Sequence, residues 1–230
     1  MKTNNNKGVC DTPQTDTPPQ GYKNSPLGII PEDWEVKRLG EITKLLTKGT
    51  TPQRFTKTGV LFIKIESFKD DKINSNACLF IDEETNNNEL KRSKLEKNDI
   101  LFAIAGTLGK CAIVSADILP ANTNQALAII RIKETNNLLF IYNLLRSNIM
   151  NKYILECKSI GAQPNLSLEQ MNNFIFYCPS LSEQTAIAAV LTTADNEISL
   201  AKQKLDSLRQ QKKGLMQVLL TGKKRVKINN

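Results

Sequence analysis

The residues best suited to recognise a ligand are amides, hydroxyls and cations gathered in short, loop-like stretches. Asn122, Asn124 and Gln125 fall in Asn122-Thr123-Asn124-Gln125, and Gln163 and Asn165 in Ile160-Gly161-Ala162-Gln163-Pro164-Asn165. Lys48, Thr50, Thr51 and Arg54 share the stretch from Lys48 to Arg54, and Lys64, Thr107 and Lys110 add further cations and a hydroxyl. A carboxamide can bond two atoms of an adenine edge at once, while hydroxyls and lysines satisfy phosphate oxygens. Each cluster alone has the composition of an ordinary turn. Together they make nucleic acid a candidate ligand.

Catalytic chemistry finds little to work with. The 230 residues include no histidine, which removes the usual general base near neutral pH, the commonest metal ligand and every Ser-His or Cys-His nucleophile. The five cysteines (Cys10, Cys78, Cys111, Cys157, Cys178) are widely separated and contain no CxxC pair, so neither zinc nor a secreted disulfide framework is expected. Gly106-Thr107-Leu108-Gly109-Lys110 has two residues between its glycines and Cys111 after its lysine. A phosphate loop needs four residues there and Ser or Thr after the lysine. The carboxylate pairs Asp70-Asp71 and Glu83-Glu84 sit in polar stretches and read as solvated. The expectation is a protein that binds, with no catalytic residues, metal or cofactor of its own.

The formal charge is +8, and its placement is informative. Residues 200–230 hold nine Lys and Arg against Asp206 alone, so they carry the whole excess and residues 1–199 are neutral. Inside that neutral body the signs are segregated. Seven basic residues against three acids lie between Lys44 and Lys72, and Lys91, Arg92, Lys94 and Lys97 follow, while acids gather at Glu32-Asp33-Glu35 and Asp82-Glu83-Glu84. One surface suited to a polyanion and ordinary solvated loops both fit this pattern.

The elements that must position these loops form an α+β pattern. Val60–Ile65, Ala77–Ile81, Ile100–Ile104, Cys111–Val114, Ala126–Ile132 and Phe174–Tyr177 read as strands, and Asn137 to about Lys158 as one or two helices. The short links between strands argue against βαβ units. Residues 1–26 are expected to be disordered or linker-like, residues 27–180 to form the domain, and the lone tryptophan, Trp34, to belong to its core. The start lacks the apolar segment of a signal peptide, and Leu138 to Leu145 is too short to span a bilayer, so a cytoplasmic protein is expected.

After Pro179 the pattern changes. Ser180 and Glu183 have capping-box spacing. Ile187, Leu191, Ala194, Ile198, Ala201, Leu205 and Leu208 then recur at steps of four and three, and Leu215 and Leu219 resume the series after Lys212. That mean step of about 3.5 is the coiled-coil period. A helix over 181–222 is expected, stopped by Gly222 and followed by a basic tail at 223–230. One apolar stripe on a long helix needs a partner: its own domain if the helix folds back, or a second long helix.

Several of these segments resemble a known family. Tyr22 and Ser25-Pro26-Leu27-Gly28-Ile29-Ile30-Pro31-Glu32-Asp33-Trp34, with Leu39-Gly40-Glu41-Ile42, resemble the entry to a target-recognition domain of a type I restriction–modification specificity subunit. The likeness recurs at Asp99-Ile100-Leu101, at Gly106 to Lys110, at Gln163 to Ser167, at Pro179 with Glu183-Gln184 and Ile187, and from Lys213 to Lys223. It implies a mixed α+β target-recognition domain with a twisted β-sheet, followed by one long coiled-coil-forming helix. It also implies double-stranded DNA as ligand, and methyltransferase and translocating endonuclease subunits as partners. S-adenosylmethionine is then expected in the methyltransferase only.

The family's usual chain holds two such domains and two long helices, packed antiparallel, whereas this sequence holds one of each. It resembles a half subunit, and its own Met1 and complete helix are what a native half would have. The exposed stripe then implies self-pairing into a two-fold dimer that reads a gapped palindrome. A coiled-coil adaptor and a regulator of a restriction system, neither with DNA specificity of its own, are the alternatives.

Overall fold

The computed structural model describes residues 17–69, 71–157 and 165–226. In chain order the elements are β1 (Tyr22–Ser25), β2 (Gly28–Pro31), β3 (Glu35–Arg38), α1 (Leu39–Ile42), β4 (Thr43–Lys48), β5 (Val60–Ile63), β6 (Phe68–Lys69), β7 (Lys72–Ile73), β8 (Leu79–Ile81) and α2 (Glu83–Asn87). There follow β9 (Ile100–Ala103), β10 (Cys111–Ile113), β11 (Ala121–Thr123), β12 (Leu127–Ile132), α3 (Leu138–Leu145), α4 (Asn148–Cys157), α5 (Leu168–Asn173), β13 (Ile175–Cys178) and α6 (Leu181–Leu219). This is an α+β domain carrying one long helix.

Two apolar strands organise the core. An antiparallel sheet in the order β10-β9-β12-β4 has β9 and β12 at its centre. Successive side chains of a strand point to opposite faces, and both faces are covered. Ile100, Phe102, Ala128 and Ile130 pack with Ile141 and Leu145 of α3 and Met150 and Ile154 of α4. Leu101, Ala103, Leu127 and Ile129 pack on the other side with Ile63, Val114, Ile118 and Ala121. A second sheet, β11-β5-β8, supplies part of that second core, and its far side buries Val60, Phe62 and Ile81 against Leu90. At the edge of the first layer, fully buried Asp99 receives Arg131 in a fork, from Nε at 2.8 Å and Nη2 at 2.9 Å. That geometry offsets the desolvation of the carboxylate.

Several boundaries differ from expectation. The first predicted strand stops at Ile63 because Ile65–Ser67 turns into a 3₁₀ segment, and Leu79, not Ala77, opens β8. The helical stretch from Asn137 divides at Ser147, whose hydroxyl accepts the Ile149 N–H at 3.2 Å. Residues 1–16 lie outside the described residues, but Tyr22–Ser25, expected to be linker, is a strand paired antiparallel with β2. Tyr177 ties that hairpin down by donating to the Leu27 carbonyl. Trp34 is half-buried rather than in the core. Its ring lies 6.4 Å from that of Tyr177, and its indole N–H donates to Glu183 at 3.0 Å.

That bond changes the start of α6. Ser180 caps the helix by accepting the Glu183 N–H at 3.3 Å, but the Glu183 carboxylate turns to Trp34 instead of closing a capping box. Gln184 and Ala188 are the helix's buried residues. The helix ends at Leu219, three residues before the expected stop, and Gly222 follows with φ +71°. Its 39 residues span about 58 Å. Among the described residues no helix is long and apolar enough to cross a membrane.

Candidate nucleic-acid interface

The strand register brings most of the candidate loops to one end of the domain. Lys48 pairs with Ala128, Leu127 with Ala103 and Phe102 with Cys111, so the end of β4, the end of β9 and the starts of β10 and β12 lie side by side. In the neighbouring sheet Thr123 pairs with Ile63, which adds the ends of β5 and β11 to the same edge. Lys48, Thr50, Thr51, Lys64, Thr107, Lys110, Asn124 and Gln125 therefore stand on adjoining turns. Asn165 joins them, because the next residue, Leu166, donates its N–H to the Ile104 carbonyl at 2.8 Å.

Two of these turns are locked together. Thr50 N–H donates to the Thr123 carbonyl at 3.1 Å, and the Thr51 hydroxyl donates to Gln125 Oε1. Gly49 permits the approach, since a Cβ there would lie 2.0 Å from the Thr123 carbonyl oxygen. The β9–β10 turn is held open differently, with Gly106 and Gly109 both at positive φ and half-buried Leu108 tucked against the core. Thr107 between the two glycines and Lys110 just after them remain exposed. Among the described residues, no ion pair engages Lys48, Lys64 or Lys110. Hydroxyls, amides and unpaired cations on one rigid edge suit contacts to phosphates and base edges.

Two expected contacts are not part of that edge, and a third is not among the described residues. Asn122 is fully buried: its amide donates to Asn86 Oδ1 at 2.9 Å and to the Leu90 carbonyl at 3.0 Å, and its Oδ1 accepts the Thr123 N–H at 2.9 Å. It spends all its bonds joining β11 to the α2 region, so the expectation of a base contact is corrected there. Arg54 reaches Asp82 at 3.2 Å, beyond the opposite end of β5. Gln163 lies outside the described residues.

The edge also has members without a sequence signal. Lys202 of α6 lines, with Lys110, Asp71 and Phe68, a polar cavity of about 260 Å³. The thiols of Cys78, Cys111 and Cys178 are pushed upward by burial, that of Cys111 to about 12, so they are unreactive packing groups.

The model of the type I restriction modification DNA specificity domain matches residues 31–210. The chain belongs to this family. It is 30% identical to the type I restriction enzyme MjaVIII specificity subunit of Methanocaldococcus jannaschii, over 90% of this chain and 50% of that protein. It is 31% identical to the type I restriction enzyme EcoBI specificity subunit of Escherichia coli, over 69% of this chain and 34% of that protein. The crystal structure of the HsdS subunit from Thermoanaerobacter tengcongensis has the same fold, with a TM-score of 0.61 at 19% identity, over 82% of this chain and 49% of that one. This specificity domain thus spans half or less of the curated relatives it is compared with.

The expected stripe of α6 is placed on the outside. Gln184, Ala188 and Asp195 share the face turned to the domain, while Ala194, Ala201, Leu205, Leu208, Leu215 and Leu219 lie on a face roughly 120° away at 3.6 residues per turn. Leu191 and Ile198 flank that face, 40% and 53% exposed, and Leu205, Leu208 and Leu215 are also about half exposed. Ile187 is the exception, half-buried against the domain core and so withdrawn from the pairing surface.

Proposed function

We propose that this chain is a non-catalytic half specificity subunit of a type I restriction–modification system. Its loop edge reads one half of a gapped DNA target. The stripe from Leu191 to Leu219 pairs with a second copy, and the two-fold dimer reads a palindrome. Methyltransferase and endonuclease subunits assemble on the paired helices and supply the chemistry.

The observation that carries this reading is the split use of α6. The helix docks on its domain through Gln184 and Ala188, a different face from the apolar stripe. Folding back therefore leaves the stripe uncovered, and four heptads of exposed Leu, Ile and Ala need an apolar partner. A second copy would restore two domains and two helices in one assembly. The cations Arg209, Lys212, Lys213, Lys223, Lys224 and Arg225 on and beyond the projecting part favour an acidic subunit or DNA backbone nearby.

Methylome sequencing of cells expressing the chain with its methyltransferase tests the reading. The expected result is one palindromic motif with an unmethylated gap. A non-palindromic motif refutes the two-fold dimer, and unchanged methylation supports the adaptor or regulator instead.

A further inference from the structure

Three elements far apart in sequence meet at one guanidinium. Arg146 caps the C-terminus of α3, with its Cζ 5.0 Å from the centroid of the Tyr142 ring. Its two terminal nitrogens serve different parts of the molecule. Nη2 donates to Asp71 Oδ2 at 2.6 Å, in the turn between β6 and β7, and Nη1 donates to Asp195 Oδ2 at 3.3 Å, on α6. The Tyr142 hydroxyl donates to the Asp71 carbonyl at 3.2 Å, fixing a turn in which Asp71 itself has φ +59°. The planar fork of arginine suits this double duty, and stacking on Tyr142 restrains it before the helix arrives.

Position along the helix gives the contact its consequence. Ala188 is the last buried side chain of α6, and among the described residues no hydrogen bond ties the helix to the domain beyond Asp195. From Asp195 to Leu219 the helix runs on for about 36 Å at 1.5 Å per residue, and among the described residues only Lys202 still borders the domain, across the cavity it shares with Lys110 and Asp71. A tilt of about 5–6° at Asp195 moves the far end by about 3.4 Å, the rise of one base pair. Packing at Gln184 and Ala188, one turn apart, limits that tilt less than a contact two turns further out.

We infer that the Arg146–Asp195 contact is an angular stop for the helix, and that it sets which spacer length the protein accepts between two half-sites. Arg146 and Asp195 are positioning residues that touch no DNA. The inference rests on the proposed reading of a two-part target by paired chains. It differs from any property of the loops, because losing the contact leaves half-site recognition intact and loosens only the distance between half-sites.

Selection of bound duplexes from a random DNA library by the full-length chain tests it. The wild-type chain is expected to enrich two half-sites at one spacer length. Asp195→Ala, a change at an exposed side chain, is expected to enrich the same half-sites at two or more adjacent lengths, with preference for the original spacer lowered about fivefold, the scale of a partly exposed ion pair. Arg146→Met is expected to do the same, and Asp195→Glu to keep a single length. Asp195→Ala retaining one spacer length overturns the inference while leaving the proposed function standing. A wild-type selection with no two-part motif overturns that function, and the inference with it.

Discussion

β12 is built largely of Leu, Ile and Ala and the outer half of α6 repeats leucine at Leu200, Leu205, Leu208, Leu215 and Leu219, yet one is buried on two faces and the other on none. The strand alternates, so Ala128 and Ile130 enter one core while Leu127 and Ile129 enter another. The helix repeats every three to four residues, so its apolar groups form a single stripe that its own domain does not reach. Apolar content alone says that surface will be covered. Periodicity says from how many sides, and the docking face says whether by this chain or another.

Substitutions separate the two regions. Phe102→Ala, at a fully buried site between α3 and the sheet, should destabilise the domain by about 3–5 kcal/mol in urea unfolding. Leu215→Ala on the stripe should change the stability of the isolated chain by less than about 0.5 kcal/mol in dilute solution, where pairing is lost. Comparable losses at both sites would mean the helix is covered by its own domain.

A smaller contrast runs through the loop edge. Asn122→Ala leaves Asn86, the Leu90 carbonyl and the Thr123 N–H short of partners, and should cost about 1–3 kcal/mol in a thermal or urea melt. Gln125→Ala, three residues on and exposed, gives up only the exposed hydrogen bond from Thr51, and should change stability by less than about 0.5 kcal/mol while weakening DNA binding. Lys110→Ala should have the smallest effect on stability and reduce the slope of log affinity against log salt by about 1, read from binding isotherms at several salt concentrations. An unaltered slope would remove Lys110 from the interface.

How much was legible in the sequence follows the same division. β5, β8, β9, β10, β12 and β13 were visible as apolar runs, and α6 as a heptad repeat with a Ser180 cap, because each advertises its own burial locally. β11 was not, since Ala121-Asn122-Thr123 has the composition of a turn; its polar side chains are buried only because α2 and β5 supply their partners. β4 reads Thr-Lys-Leu-Leu-Thr-Lys, with its two leucines adjacent and no alternation. Tyr22–Ser25 owes its strand to pairing with β2. The loop residues were recognisable by type, but their gathering at one edge depends on register, which no single loop encodes. Arg146 gave no signal at all, because its carboxylates stand 75 and 49 residues away.

The proposed function turns on the pairing of two copies of this chain through the stripe of α6. Light scattering of the full-length chain at micromolar concentration tests it most directly, alongside the double variant Leu205→Asp, Leu208→Asp. Twice the 25.7 kDa chain mass is expected for the wild type and the single-chain mass for the variant, with the same domain melting temperature. A wild-type chain that scatters as a monomer, or a variant that remains a dimer, would contradict it.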